Sequence, residues 1–396
     1  MFRALGDPAY RWWFSASLIA NVGTWMQLTA QDWIVLTVVT DHDAVAVGIV
    51  MGLQLGPQLV LLPFTGWIAD HLDRRTVLII TQSVMACAAL AIGALVLLGE
   101  IRLWHVFAAA AVVGSATAVD GPSRQAHIRS IVGIGALTSA ISLGGAAFNL
   151  ARMIGPALAG VLIELIGPGW VIAVNGLTYG AAIAVVAALR VTVEPPVERP
   201  VRGLLAGVHV VRRRSDLAVL LLAVFLVGTF GMNFPIHNAT MATREFGVSA
   251  AAFGVLSSLI ATGAVLGALL AGWSPRPRIR VAAGGAGLFG VACGIGAAAP
   301  DLVVYGVILV AAGIGVQALT TASASIVQLT VPQAVRGRVL ALHAAAFLGG
   351  TPLGAPLAGL IADELGPRAG LAVAAASGVL AAGAACAWYA MRRRTR

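Results

Sequence analysis

The stretches Leu158–Pro168, LAGVLIELIGP, and Leu357–Pro367, LAGLIADELGP, stand 199 residues apart in one chain. They share Leu-Ala-Gly at one end and Gly-Pro at the other, with an acidic residue at the same place, Glu164 against Asp363. At the same offset Phe148 and Gly155 fall on Phe347 and Gly354. A second offset, 206 residues, lays Gly48, Leu53, Gly66 and Trp67 on Gly254, Leu259, Gly272 and Trp273. Matches between small residues come cheaply in a chain with 47 glycines, so the shared Gly-Trp and LAG…GP patterns carry the weight. The chain reads as one unit written twice, and such a period decides the fold before any single element does.

What solvent surrounds the two copies follows from composition. Of 396 residues, 59% are hydrophobic and only 10% are charged, against about 25% charged in soluble domains; mean hydropathy is +0.93. Apolar runs of about 20 residues, enough to cross a bilayer, recur throughout. Twelve are expected, at 14–38, 44–69, 77–98, 103–123, 136–163, 169–189, 217–241, 249–271, 281–299, 302–325, 339–361 and 368–390. The first lacks a small-residue cleavage site and reads as a retained span, not a signal peptide. Cys87, Cys293 and Cys386 fall in three different runs. They form neither a disulfide framework nor a zinc spacing and read as small core residues.

The net charge of +9 is carried by arginine alone, since the chain has no lysine. Of 25 basic residues, 21 lie on one side of the expected spans, three (Arg102, Arg244 and Arg368) on the other, and Arg152 inside a span. That asymmetry is a topology signal placing both termini in the cytoplasm, and it displaces nucleic acid as an explanation of the charge. Spans two and eight share an orientation, so the copies are parallel repeats of six. The expected division is 1–190 for the N-terminal half, 191–216 for a cytoplasmic linker and 217–396 for the C-terminal half. The second part of the linker, GLLAGVHVVRRR, reads as a short amphipathic helix on the inner leaflet. The fold class is therefore an all-α polytopic membrane protein. Its twelve transmembrane helices form two six-helix parallel pseudo-repeats around a central cavity, the usual place for a substrate site in such proteins.

Between spans two and three runs GWIADHLDRR, Gly66–Arg75. Its Gly66, Asp70 and following basic cluster resemble the loop signature of the major facilitator superfamily. His71 and Asp73 stand where a basic residue and a Gly are usual. The Asp-x-x-Asp-Arg-Arg form, with TWMQLTAQDWIVLTVVT, FNLARMIGPALAG and VPQAVRGRVLALHAAAFLGGTPLGAPLAGLIADELGPR, looks like the drug and siderophore, macrolide-efflux-type exporter branch. The resemblance implies a cytoplasmic latch made by Gly66, Asp70, Asp73, Arg74 and Arg75 against the start of span eleven. It also links the Gly155-Pro156 bend, with Gly160, to efflux. On the residues alone, Pro156 removes a backbone donor and bends a helix.

A charge near the bilayer centre costs about 2.5–3.5 kcal/mol on insertion scales and takes a partner or faces water. Asp32 and Arg152 are the two deep charges, each about 24 Å from the inner face for spans entering near Ala16 and Ala136, and are expected to pair, either with Asp32 carrying the coupling proton or as a permanent structural pair. Asn21, Thr24, Gln27 and Gln31 share an arc with Asp32 and, with Asn149 and Asn233, are expected to line the cavity. No catalytic constellation, metal cluster or cofactor motif is read, and there is no phosphate-cradling Gly-Lys-Ser/Thr loop; the chain is expected not to be an enzyme. The expectation is a secondary exporter of small amphipathic molecules by proton antiport, probed against two alternatives. These are a uniporter or importer of a metabolite, and a non-transporting membrane sensor with the same fold. Expected partners are a small-molecule substrate, protons and the lipid bilayer of a bacterial inner membrane, with the chain a monomer.

Overall fold

The computed structural model describes residues 2–189, 205–272 and 278–394, with side chains except at 62–71, 134, 205–206, 271–272 and 393–394. Among them every long element is a helix. α1, Pro8–Ile34, starts where the Asp7 carboxylate accepts from the amides of Ala9 and Tyr10, with Pro8 at the first helical position. There a missing N–H costs nothing. α1 runs on into a π-helical turn, Val35–Val39. α2 spans Ala44–His71, and α3, Arg74–Leu97, is capped by Asp73.

α4, Leu103–Ile166, is 64 residues long and holds two passages. They meet at Gly133, whose φ of 64° and ψ of −177° lie outside helical values and suit only glycine. α5, Pro168–Ala188, follows Gly167 at φ 84°. The Gly-Pro that closes each repeated stretch is thus a left-handed residue followed by a helix-starting proline. The second copy does the same, Gly366 at φ 91° leading into Pro367.

The second half of the chain runs α6, Leu205–Arg213; α7, Ser215–Leu226; α8, Phe234–Thr240; and α9, Ala250–Gly272. It continues with α10, Ile279–Ala297; α11, Leu302–Thr330; α12, Gln333–Leu348; α13, Thr351–Leu365; and α14, Pro367–Arg394. α7 and α8 belong to one passage, Ser215–Glu245, and α12 and α13 to another, Gln333–Leu365.

Among the described residues, 11 passages are long and apolar enough to cross a membrane. The twelfth, α1, has the length, 27 residues, but Asn21, Thr24, Gln27, Gln31 and Asp32 depress its hydropathy. The outer surface is correspondingly apolar: Leu353 is 74% exposed and Leu165 72%, which suits lipid as solvent and not water. The chain is a multi-pass membrane protein.

The chain divides into two compact units. One comprises Met1–Asp41, Leu53–Arg199 and Ser249–Ser258. Its core joins Met26, Ala30 and Ile34 of α1 to Ala89 and Ile92 of α3 and to Val171 and Ile172 of α5. The other comprises His42–Gly52, Pro200–Val248 and Leu259–Arg396. Here the backbones approach closely at glycines, as membrane helices do where side chains are small. A Cβ on Gly285 of α10 would stand 2.6 Å from the Leu319 amide of α11, and one on Gly290 2.7 Å from the Val379 amide of α14.

Candidate functional site

α1 divides its polar residues between two neighbours in the first unit. Thr24 bonds the Tyr179 hydroxyl of α5 at 2.9 Å, and Gln27 accepts from the Asn175 side chain at 2.6 Å. Asn175 is itself held by the Thr178 hydroxyl at 2.9 Å. Gln31, 4% exposed, lies on the same flank, and its Nε2 has no hydrogen-bond partner. At 100° per residue, Asn21, Trp25 and Asp32 form a second flank, turned away from the first. Thr24 and Gln27 therefore bridge α1 to α5, a role their spacing alone did not disclose.

The second flank meets the second arm of α4. Gly155 lies so close that a Cβ there would stand 2.6 Å from the Trp25 Cβ. Arg152, one turn earlier on the same face, carries its guanidinium over the Trp25 ring at 5.7 Å, a cation–π contact. No ion pair joins Arg152 to Asp32, and the Asp32 carboxylate has no side-chain partner among the described residues. The expected pair is not formed in this structure, for a geometric reason. Asp32 stands seven residues beyond Trp25, about 10 Å along the helix axis, and α4 presents its arginine at the level of the tryptophan. Helical geometry continues through Pro156, since only Gly133 departs from it within α4.

Of the remaining polar candidates, Asn149 donates to its own helix, at the Gly145 carbonyl, 2.9 Å. Asn233, wholly buried in the second unit, donates to the Thr229 carbonyl at 2.9 Å. Asn21 is half-buried on α1.

At the arginine-rich end of the first unit, the expected latch is described in part. Gly66 and Asp70 fall in the last turns of α2, where side chains lie outside the described residues. Asp73 accepts from the Thr76 amide at 3.0 Å and from its hydroxyl at 2.7 Å. The Thr76 hydroxyl holds the Asp73 carboxyl below the usual carboxylate range. Arg74 donates to the Ser130 hydroxyl at 3.1 Å and Arg75 to the Ala187 carbonyl. Deeper in this unit Asp120, 6% exposed, pairs with Arg124 at 3.0 Å and accepts from Thr81 at 3.0 Å.

The repeated stretches make the same contact twice. In the first unit, Glu164 accepts from the Ala251 amide at the start of α9, 2.9 Å. A Cβ on Gly160 would meet the Ala250 carbonyl, and one on Gly254 the Pro156 carbonyl. The Ala157 amide, next to Pro156, donates to the Ser258 hydroxyl at 3.0 Å. In the second unit, Asp363 accepts from the amides of Ala44 and Val45 at the start of α2, at 3.1 and 3.0 Å. Gly359 faces the Ala44 carbonyl, and a Cβ on Gly48 would stand 2.5 Å from the Ala355 carbonyl. An acidic side chain on the orphan amides of a helix start satisfies them and favours the helix dipole. The sequence signal was the coincidence of Glu164 with Asp363, but their partners are 87 and 319 residues away.

A duplicated bundle of membrane helices, carrying deep charges and no cluster of groups able to hold a metal among the described residues, has the architecture of a transporter. The model of the transmembrane secretion effector family matches residues 1–395, and the chain belongs to that family, within the major facilitator superfamily. It is 25% identical over 367 residues to the staphyloferrin A transporter of Staphylococcus aureus, covering 90% of each chain. It is 26% identical over 370 residues to the multidrug efflux pump Tap of Mycolicibacterium fortuitum, covering 89% of each. Its fold is similar to the inward-facing, unoccupied structure of a bacterial homologue of the human lysosomal transporter Spinster, with a TM-score of 0.72 at 16% identity and 98% of each chain covered.

Proposed function

We propose that the chain is a secondary active exporter of small amphipathic molecules, drug-like or siderophore-like, exchanging its substrate for protons by alternating access. The observation that carries this reading is Asp32, a deep carboxyl without a side-chain partner among the described residues. A structural charge at that depth is kept by a partner or by water; a carboxyl that binds and releases a proton needs no permanent one. Arg152, fixed over Trp25 two turns away, supplies a stationary positive charge whose influence on Asp32 changes with the helix contacts. The names of the two relatives, a staphyloferrin A transporter and a multidrug efflux pump, support export of molecules of this class.

In this reading both termini are cytoplasmic, in a bacterial inner membrane. Gly66, Asp70, Asp73, Arg74 and Arg75 form the cytoplasmic latch, and the chain works as a monomer. Purified protein in proteoliposomes with an imposed pH gradient tests it, with a panel of dyes, antibiotics and ferric-chelating siderophores. Accumulation that collapses with the gradient is the expected result. Saturable flux indifferent to the gradient would instead show a uniporter, and no flux of any compound would leave a protein that keeps the fold without moving these solutes.

A further inference from the structure

At the arginine-rich end of the second unit, four helix ends surround a cleft of about 370 Å³, within the range of small-molecule sites. Its floor is apolar, with Leu220 of α7, Ile279 of α10 and Ile326 of α11; its rim holds Asp216, Trp388 and Arg392. Asp216 does not make the rim acidic. Arg214 pairs with it at 2.5 Å and also donates to the Thr330 carbonyl at 2.8 Å. The Trp388 indole N–H donates to the Ser215 hydroxyl at 3.0 Å, and the Arg392 guanidinium stands over the indole at 5.1 Å. Beside it Arg280 lies over the Tyr389 ring at 4.3 Å, and Arg212, Arg213 and Arg278 are exposed.

An apolar floor, an aromatic belt and a cationic rim, at the level where membrane helices end, match one class of ligand. We propose that this cleft is a binding site for an anionic phospholipid. One acyl chain runs over Leu220, Ile279 and Ile326, and the phosphodiester lies beside Arg392. Charge complementarity selects this occupant: among the described residues Asp216 is the acidic group of the rim and is already neutralised by Arg214, while the exposed Arg212, Arg213, Arg278 and Arg280 add positive charge around it. Basic pockets between transmembrane helices on the cytoplasmic side hold anionic headgroups by the same physics. Lipid held in this cleft would be bound whatever substrate the chain carries.

The test uses the full chain reconstituted in phosphatidylcholine vesicles doped with either acyl-brominated phosphatidylglycerol or acyl-brominated phosphatidylcholine. Bromine quenches tryptophan on contact, and the difference between wild type and Trp388→Phe isolates the share from Trp388. That share is expected to be quenched more strongly by the anionic lipid. Arg392→Gln lowers the preference about fivefold, the equivalent of about 1 kcal/mol for one basic residue near an anionic surface. Arg392→Lys, which keeps the charge, preserves most of it. Equal quenching by both lipids at Trp388, or a preference unmoved by Arg392→Gln, overturns the proposal in favour of non-selective annular lipid. A Trp388 that neither lipid quenches overturns it too, and shows a cleft closed to lipid.

Discussion

Arg244 and Asp363 form an ion pair of 2.7 Å, and the same carboxylate caps the first two amides of α2. Arg244 also donates to the carbonyl of His42, which sits at φ 61° in the left-handed region. One arginine therefore fixes both the acid that caps the helix and the turn that leads into it. Glu164, the counterpart of Asp363, caps α9 without an arginine in the same place.

Asp363→Ala removes two amide acceptors and leaves Arg244 without its carboxylate. A lost cap costs about 0.5–2 kcal/mol, and the stranded arginine adds to it. The thermal midpoint of the detergent-solubilised protein should fall clearly. It should fall less for Glu164→Ala, which strands no charge, and an equal fall for both would deny Arg244 its role.

Glycine contacts give a sharper contrast. Gly285→Ala drives a methyl group against backbone between α10 and α11, where overpacking costs about 1–3 kcal/mol. Gly383→Ala meets nothing within 4 Å, in a helix that alanine favours over glycine by about 1 kcal/mol. The first should lose thermal stability in detergent and the second keep or gain it.

Asp73 sets a pH expectation. Its folded-state carboxyl lies below the unfolded value because the Thr76 hydroxyl and amide bond the charged form. Stability from this cap is thus fully present above the unfolded value, about 3.9, and is lost as pH falls through the lower folded value. Asp73→Ala should lower the unfolding midpoint at neutral pH and leave it nearly unchanged in strong acid, where the wild-type carboxyl is protonated as well. A difference that persists undiminished in acid would mean another interaction is responsible.

Much of this architecture is legible in the sequence. Hydropathy marks the spans, and the doubled Gly-Pro marks the turns before α5 and α14, because glycine and proline act through their own backbones. What depends on azimuth or on distant partners is not. Asp32 and Arg152 match in depth, yet Arg152 meets Trp25 first, since depth says nothing of which residue a neighbouring helix presents. Thr24 and Gln27 resemble a water-facing stripe until Tyr179 and Asn175, some 150 residues on, take up their hydrogen bonds. The π-helical turns at Val35–Val39 and Val227–Gly231 have no signature in their apolar residues.

In the proposed exchange Asp32 carries the proton, and Asp32→Asn is the variant that decides it. In proteoliposomes, the variant should lose accumulation of a transported dye driven by the pH gradient, while counterflow exchange of dye across the membrane without a gradient continues. Gradient-driven accumulation at the wild-type rate in Asp32→Asn would contradict the account and move coupling to another group.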